Sequence, residues 1–495
     1  MTRSRLVSAL LPALSALLSA LALALLLTPA AAASESSSKD TTSQPTFYRD
    51  VLPVLQQNCQ VCHRPGGANL GGMVAPMSFV EYADTRPWAK SIARQVEART
   101  MPPWHAASEH HGTFVNERTI SDAQIDTLVR WANTGAPAGD PADALPPREW
   151  ADTGGWSIGE PDLVIDMGET YQVADDVEDE YITFVTEITE ELLPEPRWIK
   201  AIEFRPGSPV VHHIIAFPLG GIAPGNDPTT YPEGFGAKLE PGTKVRWQMH
   251  YHKEPGPGTG VEDRSMAALQ FYPPGYTPEH PMLNDPLVKH DFVIPPGDPA
   301  YSATVSTTFE RESLLMGYTP HMHVRGKSAR YVAKYPDGTE EVLLHVPEYD
   351  FNWQTHYEYP PPGKRIPAGT ELELTMTWDN SEENPSNPDP TAEVRFGQPT
   401  TAEMMFGFVS YADAEPGYVP EEGVGFFSGR GRGERDIDPE RLKTLVKERL
   451  GLDWDTLDEE QRQQILERLR ERRGGGEETG ASDGSVSEGA VSGSR

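Results

Sequence analysis

Short apolar runs separated by glycine and proline fill the middle of the chain. Runs such as YITFVTEI, RWIKAIEF, VVHHIIAF and VRWQMHY follow one another from residue 162, with turns such as Pro224-Gly225 between them. A second group, which includes LLMGYTPHMHV and ELELTMTW, extends from about residue 290 to residue 411. Runs of this length between turn residues predict β-strands. The two groups predict two all-β, jelly-roll-like sandwich domains over residues 160–287 and 288–428.

Both ends of the chain carry helical periodicity instead. Apolar residues recur at helical spacing shortly after residue 47, and a capping box that starts at Ser121 precedes a second helix. Residues 141–159 begin rich in proline, alanine and aspartate, which is typical of a linker. Residues 434–473 predict a short helical C-terminal extension, and the Gly/Ser/Glu-rich residues 474–495 predict a disordered tail.

The only two cysteines of the chain lie in one motif, Cys59-Gln60-Val61-Cys62-His63. CxxCH is the attachment motif of c-type haem, in which each thiol adds to a vinyl group and the adjacent histidine becomes an iron ligand. The segment around it resembles the c-type cytochrome modules of exported bacterial oxidoreductases. That resemblance implies one covalently bound haem in an α-helical cytochrome c domain over residues 44–140.

The second axial ligand of this haem is predicted to be a methionine. Met101 precedes Pro102 and Pro103, which stiffen the loop that would present its thioether. The alternatives left open by the sequence are Met73, Met77 and His105.

Charge and the N-terminus restrict the location and the partners. The formal net charge of −32 argues against nucleic acid and anionic membrane surfaces as partners. Arg3 and Arg5 precede a long Leu/Ala-rich run, and small residues follow it. This pattern predicts a signal peptide over residues 1–33, with an uncleaved anchor as the alternative, and hence a periplasmic or secreted protein. No later apolar run is long, so no stable membrane insertion is expected after cleavage.

Histidines occur in two patterns that suit metal binding. His321 and His323 are two residues apart in a predicted strand, so their side chains share one face. His212 and His213 are adjacent, and on a regular strand they would face opposite ways. They can share one metal ion only if the backbone bulges or ends there. His250, in the run Gln248-Met249-His250-Tyr251, is the third candidate of that set.

The order of these motifs resembles the type II copper, ascorbate-dependent monooxygenases, the family of peptidylglycine α-hydroxylating monooxygenase and dopamine β-monooxygenase. In that family each of two β-sandwich domains carries one copper. The resemblance covers about residues 160 to 415 and rests on the matching motifs His212-His213, Gln248–Tyr251, His321–His323, Gly326-Lys327 and Glu403-Met404.

The resemblance implies two copper ions with different tasks. His212, His213 and His250 would hold a copper that stores and delivers an electron, and Gln248 would lie on the electron path. Met404 would complete, with His321 and His323, a copper that reacts with O2 and the substrate. His252 is an alternative to His250, and Met405 is an alternative to Met404.

The substrate site departs from the peptide-hydroxylating members. Thr319 and Phe406 stand where those enzymes have a substrate-binding arginine and asparagine, whereas Tyr318 matches. Loss of two carboxylate partners disfavours a peptidylglycine substrate. We therefore expect a copper-dependent monooxygenase that hydroxylates a C–H bond of a small organic substrate, using O2 and electrons passed through the haem from an ascorbate-like reductant or a redox protein. The alternatives are a haem/copper electron-transfer or copper-binding protein without oxygenase activity, and a zinc-binding module.

Overall fold

The computed structural model describes residues 44–67, 75–150 and 155–419. The predicted signal peptide, helical extension and C-terminal tail all lie outside these ranges. Within them the chain is mostly β-sheet. None of the helices in these ranges combines the length and the apolar character needed to cross a membrane.

The strands are numbered in chain order. They are β1 (Leu163–Asp166), β2 (Tyr171–Val173), β3 (Asp179–Ile188), β4 (Arg197–Arg205), β5 (Val211–Phe217), β6 (Gly220–Ile222), β7 (Thr229–Thr230), β8 (Phe235–Leu239), β9 (Thr243–His252), β10 (Val261–Asp263), β11 (Met266–Phe271), β12 (His280–Val288), β13 (Val293–Ile294), β14 (Tyr301–Thr308), β15 (Ser313–His321), β16 (Gly326–Lys334), β17 (Glu340–Val346), β18 (Tyr357–Glu358), β19 (Lys364–Ile366), β20 (Glu371–Trp378), β21 (Val394–Arg395) and β22 (Phe406–Asp413).

The prediction of an α-helical cytochrome c domain over residues 44–140 is wrong. The helices of the N-terminal segment are short, and the longest has 12 residues, capped by Ser121 as the sequence predicts. The α-helices are Leu52–Asn58, Tyr82–Thr85, Ala89–Glu97 and Asp122–Asn133, with a π-helical turn at Phe47–Val51. They enclose a small core around Phe47, Leu55 and Trp131. Much of the remaining segment has no regular structure in the described residues.

The part of this segment before the last helix packs on the β-sheets instead. The Ala107 N–H donates to the His345 carbonyl oxygen at 2.8 Å, and the Val115 N–H donates to the Glu358 carbonyl oxygen at 2.8 Å. Both acceptors belong to strands of the second β group, β17 and β18. The ring of Trp104 packs edge-on against Tyr357, with ring centroids 5.1 Å apart. This part of the segment therefore covers strands of the second β group.

The two groups of strands that the sequence assigns to two β-sandwich domains share one sheet. One sheet runs through both strand groups in the order β1-β11-β4-β8-β12-β22-β15-β18, and β7 and β19 pair at its sides. Strand β12 ends at Val288, so the predicted boundary between residues 287 and 288 falls inside a strand. It pairs with β8 in parallel over two residues and with β22 antiparallel over seven. Two four-stranded sheets, β3-β9-β5-β6 and β14-β20-β16-β17, complete the two halves.

Each half has its own apolar core because its strands alternate buried and outward residues. In β20, Leu372, Leu374, Met376 and Trp378 are buried, and the residues between them are partly exposed. In β9, Val245, Trp247, Met249 and Tyr251 are buried, so the even-numbered residues face the other side of the sheet. That other side carries Gln248, His250 and His252.

Candidate metal centre

A β-bulge brings His212, His213 and His250 together. The pairing of β5 with β9 shifts register between Val211 and His213, so the extra residue is His212. This is the bulge that a metal shared by two adjacent histidines requires. His213 lies directly opposite His250, with ring centroids 4.7 Å apart, and the His212 ring lies 4.9 Å from that of His250. One ring nitrogen from each of the three histidines lies within 4.8 Å of the others.

Contacts on the far side of His250 determine which of its nitrogens can bind a metal. Asp179, at the start of β3, places Oδ1 at 2.5 Å from His250 Nε2. A carboxylate only accepts, so Nε2 carries the hydrogen and Nδ1 keeps its lone pair. That Nδ1 faces Nδ1 of His213 at 3.3 Å. The Tyr181 ring stacks on His250 at 4.1 Å and fixes the ring plane.

The HxH pair lies at the end of β15, with both rings on one face. The His321 and His323 ring centroids are 5.4 Å apart. Nδ1 of His321 donates to Gln354 Oε1 at 2.7 Å, and Nδ1 of His323 donates to the Ala402 carbonyl oxygen at 3.1 Å. Both histidines thus keep the Nε2 lone pair free, and Nε2 of His323 is buried without a partner. Such outer contacts orient metal-binding imidazoles.

Glu403 connects the HxH segment to the candidate methionine. Its carboxylate is fully buried and accepts the backbone N–H of His323 at 2.8 Å, that of Arg325 at 2.7 Å, and the indole N–H of Trp378 at 3.0 Å. Met404 follows directly. It therefore lies between Ala402, which contacts His323, and Phe406, which pairs with His321 in the sheet.

The two histidine sets lie side by side. The ring centroids of His213 and His321 are 6.2 Å apart. Phe351 adds a second contact, because its ring stacks on His212 at 4.7 Å and meets His323 edge-on at 6.0 Å. The sequence predicted one site in each of two domains, whereas the structure places both sets at the junction of the two halves.

The donor atoms fit a late transition metal. His212 has two buried ring nitrogens without partners, and His323 has one. Buried polar atoms of this kind need a ligand, an ion or water. Imidazole donors suit copper or zinc, whereas calcium and magnesium prefer oxygen donors. His212, His213 and His250 could hold one metal ion, and His321 and His323 offer two imidazoles towards a second.

Burial keeps these histidines neutral, the form that binds metals. Burial lowers the pKa of His212 and His323 to about 3 and that of His321 to about 4. The pKa of His213 shifts in the same direction for the same reason. Burial also lowers to about 4 the pKa of His356, which is outside the cluster and contacts the Thr319 hydroxyl at 2.8 Å.

These shifts predict acid destabilisation of the metal-free protein. Since the unfolded histidines titrate near pH 6.5 and the folded ones near pH 3 to 4, the unfolded state binds more protons between those values. The free energy of unfolding should therefore fall as the pH is lowered from about 6.5 towards 4, and these groups should contribute no slope above about pH 7. Denaturant unfolding at several pH values measures this free energy. His356→Asn should reduce its dependence on pH. Burial raises the pKa of Glu358 and Glu403 to about 7, and these two groups oppose the slope. A slope that His356→Asn leaves unchanged therefore contradicts the assignment.

The other predicted site residues are not all at the cluster. Tyr318 is fully buried and packs on Tyr331, with ring centroids 4.6 Å apart. It is three residues from His321 on the strand, so it points to the opposite face. Gln248 shares the outward face of His250. His252 is more than half exposed, and Met405 is fully buried in the core of the second half, so His250 and Met404 are the better placed of each pair.

The CxxCH turn follows the helix Leu52–Asn58. Both thiols are unbridged, and burial raises the pKa of the Cys59 thiol to about 12. The His63 ring stacks on Phe79 at 4.4 Å, and its buried Nδ1 has no partner. These three residues fit covalent haem attachment and one axial ligand. Met101 is 41% exposed, Met77 packs against the helical core, and Met73 lies outside the described residues.

Sequence reasoning missed the residues that orient the histidines. Asp179, Tyr181, Phe351 and Gln354 belong to no recognisable motif. Asp179 and Tyr181 could have been found only by pairing β3 with the His250 strand. Gln354 and Phe351 lie in an irregular loop about 30 residues after His321, and nothing in its pattern indicates where it folds.

No protein-family model matches the chain, and the comparison with curated proteins finds no similar protein. Among solved structures, a turret protein of Sulfolobus turreted icosahedral virus aligns over 50% of this chain and 98% of its own, with 11% identity and a TM-score of 0.12. The VP2 subviral particle of infectious bursal disease virus aligns over 63% and 94%, with 11% identity and a TM-score of 0.15. At these TM-scores neither likeness bears on fold or function.

Proposed function

We propose that this protein is an exported copper- and haem-containing monooxygenase that hydroxylates a C–H bond of a small organic substrate. The observation that carries the proposal is the five-histidine cluster, in which three histidines from one half meet two from the other at 6.2 Å. In the net reaction, the substrate C–H, O2, two electrons and two protons give the alcohol and water. The atoms and electrons balance only with an external reductant, which we propose to be an ascorbate-like molecule or a redox protein.

The chain's own residues divide the tasks. His212, His213 and His250 would hold one copper, and His321 and His323, with Met404, would hold the other. Copper held by imidazole and thioether ligands supplies one-electron and O2 chemistry. Asp179, Gln354 and the Ala402 carbonyl keep the correct ring nitrogens available, and Phe351 and Tyr181 limit water around the rings.

Charged residues that act on the CxxCH turn are linked by hydrogen bonds and backbone to the loop that holds Gln354, and this supports a haem as the point of electron entry. Burial raises the pKa of the Cys62 thiol, and the charge of Arg118 opposes that shift. Arg118 donates to the Gly225 carbonyl oxygen at 3.2 Å, and the next residue, Asn226, donates to the Gln354 backbone. The Gln354 side chain in turn accepts from His321. A haem held by Cys59, Cys62 and His63 would supply one-electron transfer.

Substrate-dependent O2 uptake tests this function. Protein loaded with copper and haem is mixed with a reductant and a panel of small C–H substrates, and O2 consumption and hydroxylated product are measured together. We expect one product molecule per O2 consumed, and none after copper removal. A protein that binds copper but consumes no O2 across the panel would instead be the haem/copper electron-transfer protein that is the alternative.

A further inference from the structure

Among the described residues, Asp179 is the carboxylate that contacts both halves of the protein at the histidine cluster. One oxygen contacts the first half and the other oxygen contacts the second. Its Oδ1 accepts from Nε2 of His250 at 2.5 Å. Its Oδ2 accepts from the Thr400 hydroxyl at 2.5 Å and from the Thr400 N–H at 3.2 Å. Asp179 and Thr400 are 221 residues apart in the sequence. The contact therefore joins β3 of the first half to the segment that leads to Met404.

Thr400 is coupled to the second histidine set through the backbone that follows it. The Thr401 carbonyl oxygen accepts from Arg325 Nη1 at 2.8 Å, and the Ala402 carbonyl oxygen accepts from Nδ1 of His323. Displacement of Thr400 would therefore move the acceptor that fixes the His323 ring. One unbroken series of hydrogen bonds and peptide units links His250, Asp179, Thr400 and His323.

We propose that Asp179 is a positioning residue that makes metal binding at the two histidine sets interdependent. This inference rests on the proposed function for the identity of the two sites. His250 would hold a metal through Nδ1, and the electron density drawn from the ring would strengthen the hydrogen bond from Nε2 to Asp179. An Asp179 held in this way keeps Thr400, and with it the Ala402 carbonyl, in the position that orients His323. Metal in the first set thus favours metal in the second, and the effect is reciprocal.

The interdependence is measured with Cu(I) under anaerobic conditions, in competition with a chromogenic chelator. The second site is identified as the one whose copper is lost in His323→Ala. The affinity of this site for Cu(I) is the quantity compared between variants. As a single substitution, His212→Ala should lower this second-site affinity by about 5- to 150-fold, the usual range of coupling between two sites. Asp179→Asn should itself weaken the first site by about 10- to 100-fold, as loss of an outer hydrogen-bond partner does.

Two substitutions at Thr400 separate coupling from simple damage to the fold. Thr400→Val removes the hydroxyl that binds Asp179, keeps the weaker N–H contact at 3.2 Å and touches no histidine. In this background the effect of His212→Ala on the second-site affinity should be clearly smaller than in the wild type. Thr400→Ser keeps the hydroxyl and should restore the coupling. Thr377→Val is the matched control in the same half, because it removes a hydroxyl that bonds Ser302 at 2.9 Å, and it should leave the coupling unchanged.

The outcomes distinguish this inference from the proposed function. If the wild-type protein binds two coppers and His212→Ala leaves the second affinity unchanged, the inference is wrong and the monooxygenase proposal stands. The inference is also wrong if the effect of His212→Ala is as large in Thr400→Val as in wild type. A wild-type protein that binds only one copper contradicts both. Coupled binding without O2 uptake supports the inference and contradicts the oxygenase.

Discussion

Met404→Ile is expected to reduce substrate-dependent O2 uptake by more than about 100-fold. Loss of a hydrogen-bond partner of a metal ligand already costs about 10- to 100-fold in activity, and loss of the ligand itself should cost more. Isoleucine keeps the apolar volume and removes the thioether, the soft donor that favours Cu(I). Copper at His212, His213 and His250 should be retained, so total copper should fall by one equivalent at most. O2 consumption and copper content, measured on the same preparation, test the prediction.

The adjacent methionine provides the control. Met405 is fully buried in the core of the second half, on the face opposite that of Phe406. Met405→Ile conserves volume and should cost less than about 1.5 kcal/mol of folding free energy, with O2 uptake retained. If Met405→Ile removes the uptake and Met404→Ile does not, Met405 is the ligand and our assignment is reversed.

Glu403→Ala is expected to destabilise the metal-free protein by about 3–5 kcal/mol, as removal of one partner from a buried charged network does. The substitution leaves three buried N–H groups, from His323, Arg325 and Trp378, without their acceptor. It also leaves the buried Arg325 with Asp389 alone of the two carboxylates that act on its charge. Denaturant unfolding measures the loss, and copper affinity at His321 and His323 should fall with it.

An exposed glutamate nearby is the matched control for this prediction. Glu393 is about half exposed and pairs with Arg395 on the surface at 2.7 Å. Glu393→Ala should change the free energy of unfolding by less than about 0.5 kcal/mol, since exposed ion pairs contribute little. Equal losses for the two substitutions would show that Glu403 does not organise the HxH segment.

Local rules of strand geometry account for the parts of the site that the sequence predicted. His321 and His323 share a face because strand side chains alternate, and the structure places their rings 5.4 Å apart. The same rule requires a bulge at His212 and His213, and the register shifts there. It also places Tyr318 on the face opposite His321, although the family resemblance made Tyr318 a candidate catalytic residue.

Long-range pairing accounts for the parts that the sequence did not predict. Nothing in the run HPMLNDPLV indicates that β12 joins two groups of strands into one sheet. Nothing around Ala107 or Val115 indicates that these residues hydrogen-bond to β17 and β18 instead of completing a helical domain. The contacts of Asp179 and Gln354 likewise depend on which segments meet at the junction, and segments far apart in sequence carry no local pattern for that.

Copper content per chain, measured together with an electron paramagnetic resonance spectrum, tests the central claim most directly. Protein matured with copper, zinc and haem all available should hold two coppers with type II spectra and nitrogen hyperfine structure, plus one low-spin haem. His213→Ala should remove one copper and His323→Ala the other. A protein that takes up zinc in preference, or a single copper that either substitution abolishes, would contradict the assignment of the five histidines to two copper sites.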